Sequence, residues 1–378
     1  MTHPLFVLLL GFLCSAVLMQ DENPAASAQK NIVNAQHENP DRYPRSEGAE
    51  IRFSDRFSLN FQRTLRIPDD GKQYPLPPGL GSFPLYSVKE YADRVPPQWQ
   101  KKNAWFIPMY QREALWINFS AARWKPNVVK VGVGKINALS GGEWNLALSE
   151  QPQNYLVAPD QPWLDGIKAG EGYIRQFVAV PHGSGYSVEA QLRGKESDEA
   201  LRIAVFEPKP GRFPDAPPYD ERDVAYEDAP AMAQSARSSS MGLGAGGKMR
   251  QKVYPDTYGL DTWEHEPVAE IVVYIINSED FLAIVGETPP PSPVDAESYT
   301  AYGYPWFDLY DEHKGDIPAN DKLKNVQSTG TLDGSKGIKT DASVDVPDSL
   351  VVKLPQGQDS APIQPLPGKG KKPQDSDK

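Results

Sequence analysis

Residues 57–67 read FSLNFQRTLRI, and this stretch indicates a β-strand. Phe57, Leu59 and Phe61 alternate with polar neighbours, and Leu65 and Ile67 follow them. A period of two places the apolar side chains on one face of a strand. The turn-forming residues 68–71 (PDDG) end the pattern. The stretch therefore predicts a strand near the start of a β-fold.

Further strand patterns follow along the chain. Residues 127–139 are rich in valine, and residues 271–276 (IVVYII) predict a strand that is buried on both faces. Residues 186–192 and 201–205 both alternate, which predicts an antiparallel hairpin around a charged loop. The 37 prolines oppose long helices. The predicted fold is mainly β: an antiparallel β-sandwich-like body with a small α+β unit at its C-terminal side.

Changes in composition divide the chain into segments. We expect a signal peptide over 1–28, a flexible segment over 29–50, a β-sandwich-like domain over 51–210, a linker over 211–241, a small α+β unit over 242–313 that packs on the first domain, and a disordered tail over 314–378. Residues 306–313 are expected to be helical. The tail has no aromatic residue and many polar ones, so it is expected to stay unfolded. Removing residues 320–378 is then expected to leave the thermal midpoint within about 2 °C.

The N-terminal stretch predicts export. Residues 5–19 are almost wholly apolar, but the run is shorter than the about 20 residues that a membrane span needs. Residues 26–28 (ASA) offer a signal-peptidase pattern, with cleavage expected after Ala28 and Ala16 as the alternative. An uncleaved N-terminal anchor stays open as an alternative. We expect a periplasmic or extracellular protein without a membrane span after signal cleavage.

Composition also limits the ligands. Cys14, the single cysteine, lies in the leader, so the mature chain has no disulfide or thiolate metal site. The net charge of −11 opposes binding to nucleic acid. Residues 242–249 (GLGAGGKM) match a glycine-rich phosphate loop, but a serine-rich segment precedes them and a strand pattern follows. They predict a β-turn or bulge, and no nucleotide, metal or cofactor is expected. The expected partner is an unidentified ligand or envelope component.

Three acids are the candidate catalytic residues. Glu113, Asp160 and Asp165 lie in aromatic surroundings, near Trp116 and Trp163. Two carboxyl groups at a suitable separation could hydrolyse a glycosidic bond. The alternative is that Asp160 and Asp165 cap turns in residues 159–166 (PDQPWLDG).

The candidate binding residues are Trp163, in the same loop, and Arg175, on the strand predicted over residues 173–180 that follows it. Trp163 or its neighbour Leu164 is expected to hold the loop to the core. Arg175 is expected to pair with Asp160 or Asp165 beneath the loop, since a guanidinium binds a carboxylate in bidentate geometry. The alternative is that Arg175 points to water.

Three stretches carry a resemblance to a known family: residues 109–119 (MYQREALWINF), 160–181 (DQPWLDGIKAGEGYIRQFVAVP) and 242–254 (GLGAGGKMRQKVY). They resemble a family of bacterial and fungal exported proteins, some labelled "integral membrane protein", for which no activity is known. The resemblance implies a shared fold over about residues 58–313 and carries no site residue to this chain.

Three classes of function are compatible with these features. The first is an envelope or extracellular binding or scaffold protein. The second is a carboxylate-dependent glycan hydrolase, and the third is a purely structural envelope protein. Convergence of Glu113, Asp160 and Asp165 in an open cleft would favour the enzyme, and separate burial would favour the other two classes.

Overall fold

The computed structural model describes residues 43–197, 200–217, 240–309 and 314–354. The strands in these residues are β1 (Arg45–Glu47), β2 (Glu50–Arg52), β3 (Phe57–Thr64), β4 (Gln73–Tyr74), β5 (Gly79–Ser82), β6 (Tyr86–Ser87), β7 (Ala104–Met109), β8 (Ala114–Ala121), β9 (Asn127–Val133), β10 (Ile136–Asn137), β11 (Leu156–Ala158), β12 (Trp163–Leu164), β13 (Gly166–Gly170), β14 (Tyr173–Pro181), β15 (Leu201–Phe206), β16 (Ser240–Arg250), β17 (Ala269–Asn277), β18 (Trp306–Leu309) and β19 (Val351–Leu354). The helices are α1 (Val188–Arg193), α2 (Ser278–Val285), α3 (Ala296–Ala301), α4 (Asp321–Lys324) and α5 (Thr329–Ser335). Short 3₁₀ turns connect several of these elements.

The strands form two layers. In the first layer β2, β3, β8, β14 and β16 pair in that order, all antiparallel. In the second layer β7, β17, β15 and β9 pair in that order, and the β7–β17 pair is parallel. The start of β16 pairs with β17 and joins the layers. The predicted fold class is confirmed: the protein is mainly antiparallel β, with a sandwich-like body and a small α+β unit at its C-terminal side.

The main core takes alternate side chains from strands of both layers. Phe57, Leu59 and Phe61 of β3 belong to the same buried cluster as Ile271 and Ile275 of β17. The predicted alternation in residues 57–61 is therefore confirmed. A period of two brings these residues to one face of each strand, where apolar surface leaves water.

The second layer is covered on its outer face as well. Tyr274 of β17 stacks on Trp99 with ring centroids 4.5 Å apart, and Phe281 of α2 joins the same buried cluster. Val272 and Ile276 also belong to that cluster. Residues 271–276 are buried on both faces, which confirms the prediction from their continuous apolar run.

The glycine-rich residues 242–249 lie inside the long strand β16. The ladder between β14 and β16 shifts register between Arg175 and Phe177, so the predicted bulge is present and the predicted turn is not. Neighbours approach the glycines closely: a Cβ on Gly247 would lie 2.4 Å from the carbonyl oxygen of Pro68. The last residues of the predicted linker 211–241 belong to this strand, and residues 218–239 lie outside the described residues.

The predicted hairpin at residues 186–205 is wrong in its first half. Residues 188–193 form the helix α1, because Ser187 caps its start and Gly194 ends it in the left-handed conformation at φ 67°. The Ser187 hydroxyl accepts a hydrogen bond from the amide of Ala190 at 3.0 Å. The second half is a strand, β15, which pairs with β9 and β17 instead.

The predicted helix at residues 306–313 is also wrong where the structure describes it. Residues 306–309 form β18, which pairs in parallel with β19. The partner strand lies in the segment that was expected to be disordered, so local patterns could not reveal it. Residues 310–313 lie outside the described residues.

The prediction of a disordered tail is wrong for residues 314–354. Ile317, Leu323, Val326 and Val344 are buried in the main core. Asp316 accepts hydrogen bonds from the amides of Gly172 at 2.6 Å and Val253 at 2.8 Å. A few apolar residues are sufficient to fix a polar segment in place when they enter a core that other segments have formed. Residues 355–378 lie outside the described residues.

The predicted flexible segment 29–50 is wrong at its end. Residues 45–47 form β1 and residues 50–52 form β2, and the two strands pair antiparallel. Residues 1–42, which include the expected signal peptide, lie outside the described residues.

Replacing Gly247 by alanine should destabilise the protein, because the new Cβ meets a backbone carbonyl that cannot rotate away. Gly247→Ala should lower the free energy of unfolding by about 1–3 kcal/mol or more. Gly315→Ala is the matched control, since its Cβ would lie 3.5 Å from the nearest side-chain atom. Urea unfolding measures the stability of both variants. Equal losses of unfolding free energy would show that the Pro68 backbone does not pack closely against Gly247.

Replacing Leu323 tests whether residues 314–354, the C-terminal segment, pack on the β-sandwich-like body. Leu323 is fully buried, so Leu323→Ala should cost about 2–5 kcal/mol through lost burial and a cavity. Lys324→Ala on the same helix should cost under about 1 kcal/mol, since its ion pair with Asp321 is exposed. Thermal unfolding of both variants decides the matter, and a near-neutral Leu323→Ala would contradict the observed docking.

Candidate functional site

A cavity of about 250 Å³ opens beside the outer face of the first layer. We call it the Trp cleft, and its lining residues are Leu76, Pro77, Pro78, Gly79, Trp116, Trp163, Asp165 and Phe307. Three of these residues are aromatic, and each of their side chains is half-buried. The cleft therefore combines apolar walls with one ionisable group.

Pairing of β8 with β12 sets the two tryptophans side by side. On β8, Leu115 and Ile117 enter the main core, so Trp116 between them points to the opposite face. Trp163 of β12 lies opposite Asn118 of β8, on the same face as Trp116. The two indole rings lie 6.0 Å apart with an interplanar angle of 61°, an edge-to-face contact.

Phe307 forms a third wall from a distant part of the chain. Its backbone exchanges two hydrogen bonds of 2.8 Å with Leu76, which is itself a lining residue. Phe307 belongs to β18, and β18 pairs with β19. The C-terminal segment thus helps to position one wall of the cleft.

Asp165 is the one ionisable group in the lining, and it is 4% exposed. The Gln251 side chain bridges it, because its amide donates to Asp165 Oδ2 at 2.7 Å and its carbonyl accepts from the Asp165 amide at 3.1 Å. The Trp163 side chain also hydrogen-bonds the carboxyl group. Within the described residues no lysine, arginine or histidine lies within ion-pair distance of Asp165.

Burial raises the pKa of Asp165 from its ordinary value of 3.8 to about 7. The hydrogen bonds from Trp163 and Gln251 oppose this rise, but they do not cancel it. A group with such a pKa exchanges its proton near neutral pH. It also carries an uncompensated charge at higher pH, which is the mark of a functional acid more than of a structural one.

The other two predicted acids lie elsewhere. Glu113 is buried and accepts two hydrogen bonds from the Arg63 guanidinium, at 2.6 and 2.9 Å. Asp160 is about one third exposed and accepts from the Tyr258 hydroxyl at 3.3 Å. Glu113 lines a different cavity from Asp165, and Asp160 lines neither of these two. The three predicted catalytic acids therefore occupy separate environments.

The predicted pairing of Arg175 is wrong. Arg175 lies 3.7 Å from the Asp69 carboxylate, and it donates to the carbonyl of Gly246 at 3.4 Å. Asp165 is engaged by Gln251 instead. Asp69 belongs to the loop after β3, so its contact with Arg175 depends on the packing of that loop against β14 and β16. Arg175 is not a lining residue of the Trp cleft.

A second cavity of about 580 Å³ has charged residues in its lining, and most of them belong to ion pairs. Its charged groups or their partners form three ion pairs: Arg63 with Glu113, Arg66 with Asp341 and Arg112 with Asp333. Such pairs hold the walls of this cavity together, and the two other acids of its lining, Asp295 and Glu297, are exposed. The acid of the Trp cleft is buried and has no ion pair in the described residues, so this cleft is the stronger candidate site.

Sequence reasoning named Trp163 and Asp165 but assigned no role to Phe307 or Gln251. The alternation of Leu115, Trp116 and Ile117 could have placed Trp116 on the outer face. No local signal connects Phe307 or Gln251 to the cleft, because the Leu76–Phe307 bridge and the Gln251–Asp165 hydrogen bonds join segments that are distant in the chain.

Two further observations describe the molecule. In the described residues no three histidine, cysteine or acidic side chains are grouped to hold a metal ion. None of the helices in these residues has the length and hydropathy to cross a bilayer.

Comparisons with protein-family models, with curated proteins and with solved structures found no match to this chain.

Asp165→Asn should stabilise the protein in a pH-dependent way. The pKa of Asp165 is about 7 in the folded state and near 3.8 when unfolded, so its stabilising contribution is full below pH 4 and is lost as pH rises to 7. The advantage of Asp165→Asn over the wild type should grow by about 1.4 kcal/mol per pH unit across this window and then level off.

Urea unfolding of the two proteins between pH 4 and 8 measures this difference. Asp160→Asn is the matched control, since it makes the same chemical change at an acid that is about one third exposed and lies outside the Trp cleft. A difference between Asp165→Asn and wild type that stays constant across the range would contradict the raised pKa.

Proposed function

We propose that this protein is an exported binding protein that holds a small ligand in the Trp cleft. The observation that carries the proposal is the convergence of three half-buried aromatic rings on a buried acid that has no counter-ion among the residues that the structure describes. The apolar run and small-residue pattern of residues 5–28 support export to the periplasm or the extracellular space.

The aromatic walls favour a ligand with an apolar face. Trp116, Trp163 and Phe307 keep part of their rings in contact with water, although a β-fold can bury such residues completely, as it does Trp263 and Trp306. Covering exposed aromatic surface contributes about 25 cal/mol per Å². A ligand of complementary shape would gain this contribution on binding.

The cleft is also suited to rigid recognition. Its walls come from four separate parts of the chain, held by the β8–β12 ladder and by the backbone bonds between Leu76 and Phe307. A site on strands loses little conformational entropy when a ligand enters.

Binding is favoured over the two other classes of function. Glycan hydrolysis by paired carboxylates needs two acids at one bond, and Glu113 and Asp165 line different cavities. A purely structural role gives no reason to keep a destabilising acid at position 165, where a neutral residue would serve the fold better. The family resemblance names no ligand, so the proposal depends on the cleft.

A ligand screen with cleft variants tests the proposal. Ligand-observed NMR would be applied to the mature protein with a panel of monosaccharides, quaternary and cyclic amines, and aromatic acids. We expect at least one class of compound to bind the wild type and to lose about tenfold or more in affinity in Trp163→Ala, since a large aromatic contact is worth about 1.4 kcal/mol or more.

Tyr302→Ala is the matched control, because Tyr302 is 76% exposed and is not a lining residue of the cleft. It should leave the same binding unchanged. Urea unfolding would verify that both variants fold. The proposal fails if no compound in the panel distinguishes Trp163→Ala from Tyr302→Ala.

A further inference from the structure

The lining of the Trp cleft has an unusual balance of groups. Its walls are aromatic, aliphatic or prolyl, and the ionisable side chain among them is a carboxyl group. Gln251 and Trp163 satisfy the hydrogen-bonding capacity of that carboxyl group in part, but neither provides a positive charge. The carboxylate form therefore lacks a counter-ion in the described residues.

Nearby basic residues are engaged with other acids. Arg175, on the strand that pairs with β13, lies against Asp69, and Arg250 lies 3.2 Å from Asp308. Lys314 reaches Asp160 at 4.0 Å. None of these bases competes for Asp165, so the position of its counter-ion is open to a ligand.

Aromatic rings and a carboxylate together select a cation. The faces of tryptophan and phenylalanine attract a positive charge within about 6 Å of the ring centroid. A desolvated carboxylate repels anions and attracts cations strongly in an apolar site. The net charge of −11 on the chain adds a weaker attraction of the same sign.

The apolar lining further selects among cations. A primary ammonium has three N–H donors, and the lining offers one carboxyl group to accept them. Leaving such donors unpaired in an apolar site weakens binding, because each has given up its hydrogen bond to water. A quaternary ammonium has no N–H donor, and its methyl groups can contact Pro77, Pro78 and the aromatic rings.

Resting on the binding function proposed above, we infer that the Trp cleft binds a quaternary ammonium group, with Asp165 as its counter-ion and Trp116, Trp163 and Phe307 as its aromatic walls. The volume of about 250 Å³ suits a headgroup of this size, since pockets for larger molecules span about 300–1,000 Å³. A sugar ring fits less well, because its hydroxyl groups need several polar partners.

Choline chloride and its neutral carbon isostere are the probes that test this inference. The isostere is the dimethylbutanol in which a tert-butyl group replaces the trimethylammonium group of choline. The two compounds have the same shape and differ in charge. Isothermal titration of the mature wild type at pH 8 should show choline binding at least about tenfold more tightly than the isostere. Asp165→Asn should reduce this preference to about twofold or less, while binding of the isostere stays unchanged.

A second variant separates the aromatic wall from simple apolar contact. Trp116→Leu keeps an apolar side chain, removes an aromatic face and leaves the hydrogen bond from Trp163 to Asp165 in place, so it should weaken choline binding several-fold more than it weakens isostere binding. This variant also keeps the inference testable if Asp165→Asn does not fold.

The pH dependence provides an independent readout. Asp165 faces Gln251 and Trp163, which do not titrate near neutral pH, and no charged neighbour contributes to its pKa. Because that pKa is about 7, choline should bind several-fold more weakly at pH 6 than at pH 8, and the isostere equally at both.

The outcomes separate this inference from the proposed function. Equal binding of choline and isostere to the wild type, or a choline preference that persists in Asp165→Asn, overturns the cationic ligand and leaves the cleft as a binding site. If neutral compounds of the panel bind and choline does not, the cationic ligand is likewise overturned and the cleft remains a binding site. If no compound, charged or neutral, loses affinity in Trp163→Ala, the proposed function itself fails.

Discussion

The close approach of neighbouring backbone to the glycines of β16 is the constraint on which the rest of the structure depends. The Pro68 carbonyl would lie 2.4 Å from a Cβ at Gly247, and Val178 Cγ2 would lie 2.5 Å from one at Gly246. Because these positions have no side chain, the loop after β3 can pack directly on the strand. The same strand pairs with β14, β4 and β17, so it joins the two layers. It ends beside Gln251, which holds Asp165 in the wall of the Trp cleft.

The C-terminal segment completes what β16 begins. Asp316 forms an ion pair with the buried Lys168 of β13 and accepts from two backbone amides, so the segment is tied to the first layer where it begins. Burial lowers the pKa of Lys168, and Asp316 opposes this effect. Beyond this anchor, Leu323 enters the core and β19 supports β18. The segment therefore stabilises the body and also positions Phe307 in the cleft.

The two cavities show how the same fold treats charge in different ways. In the larger one, the arginines of the lining form ion pairs with carboxylates, and the acids outside these pairs, Asp295 and Glu297, are exposed to water. In the Trp cleft, Asp165 keeps its burial penalty and has polar but uncharged neighbours. Apolar burial across both layers stabilises the protein enough to tolerate one such group. An acid retained under these conditions indicates a role outside the fold itself.

Local patterns in the sequence determined the class of fold and part of the site. The strands at residues 57–61 and 271–276 were predicted correctly. Apolar residues that enter the core from one face recur with a period of two, and burial on both faces gives a continuous apolar run, and a single segment can show either pattern. The turn residues around Trp163 and Asp165 likewise marked a conspicuous loop. Tertiary structure alone decided the rest. It made a strand of residues 306–309, placed the polar segment 314–354 in the core and paired Arg175 with Asp69. Each of these contacts joins residues that are distant in the chain, and the free energy of such a contact depends on a partner that no local pattern can name.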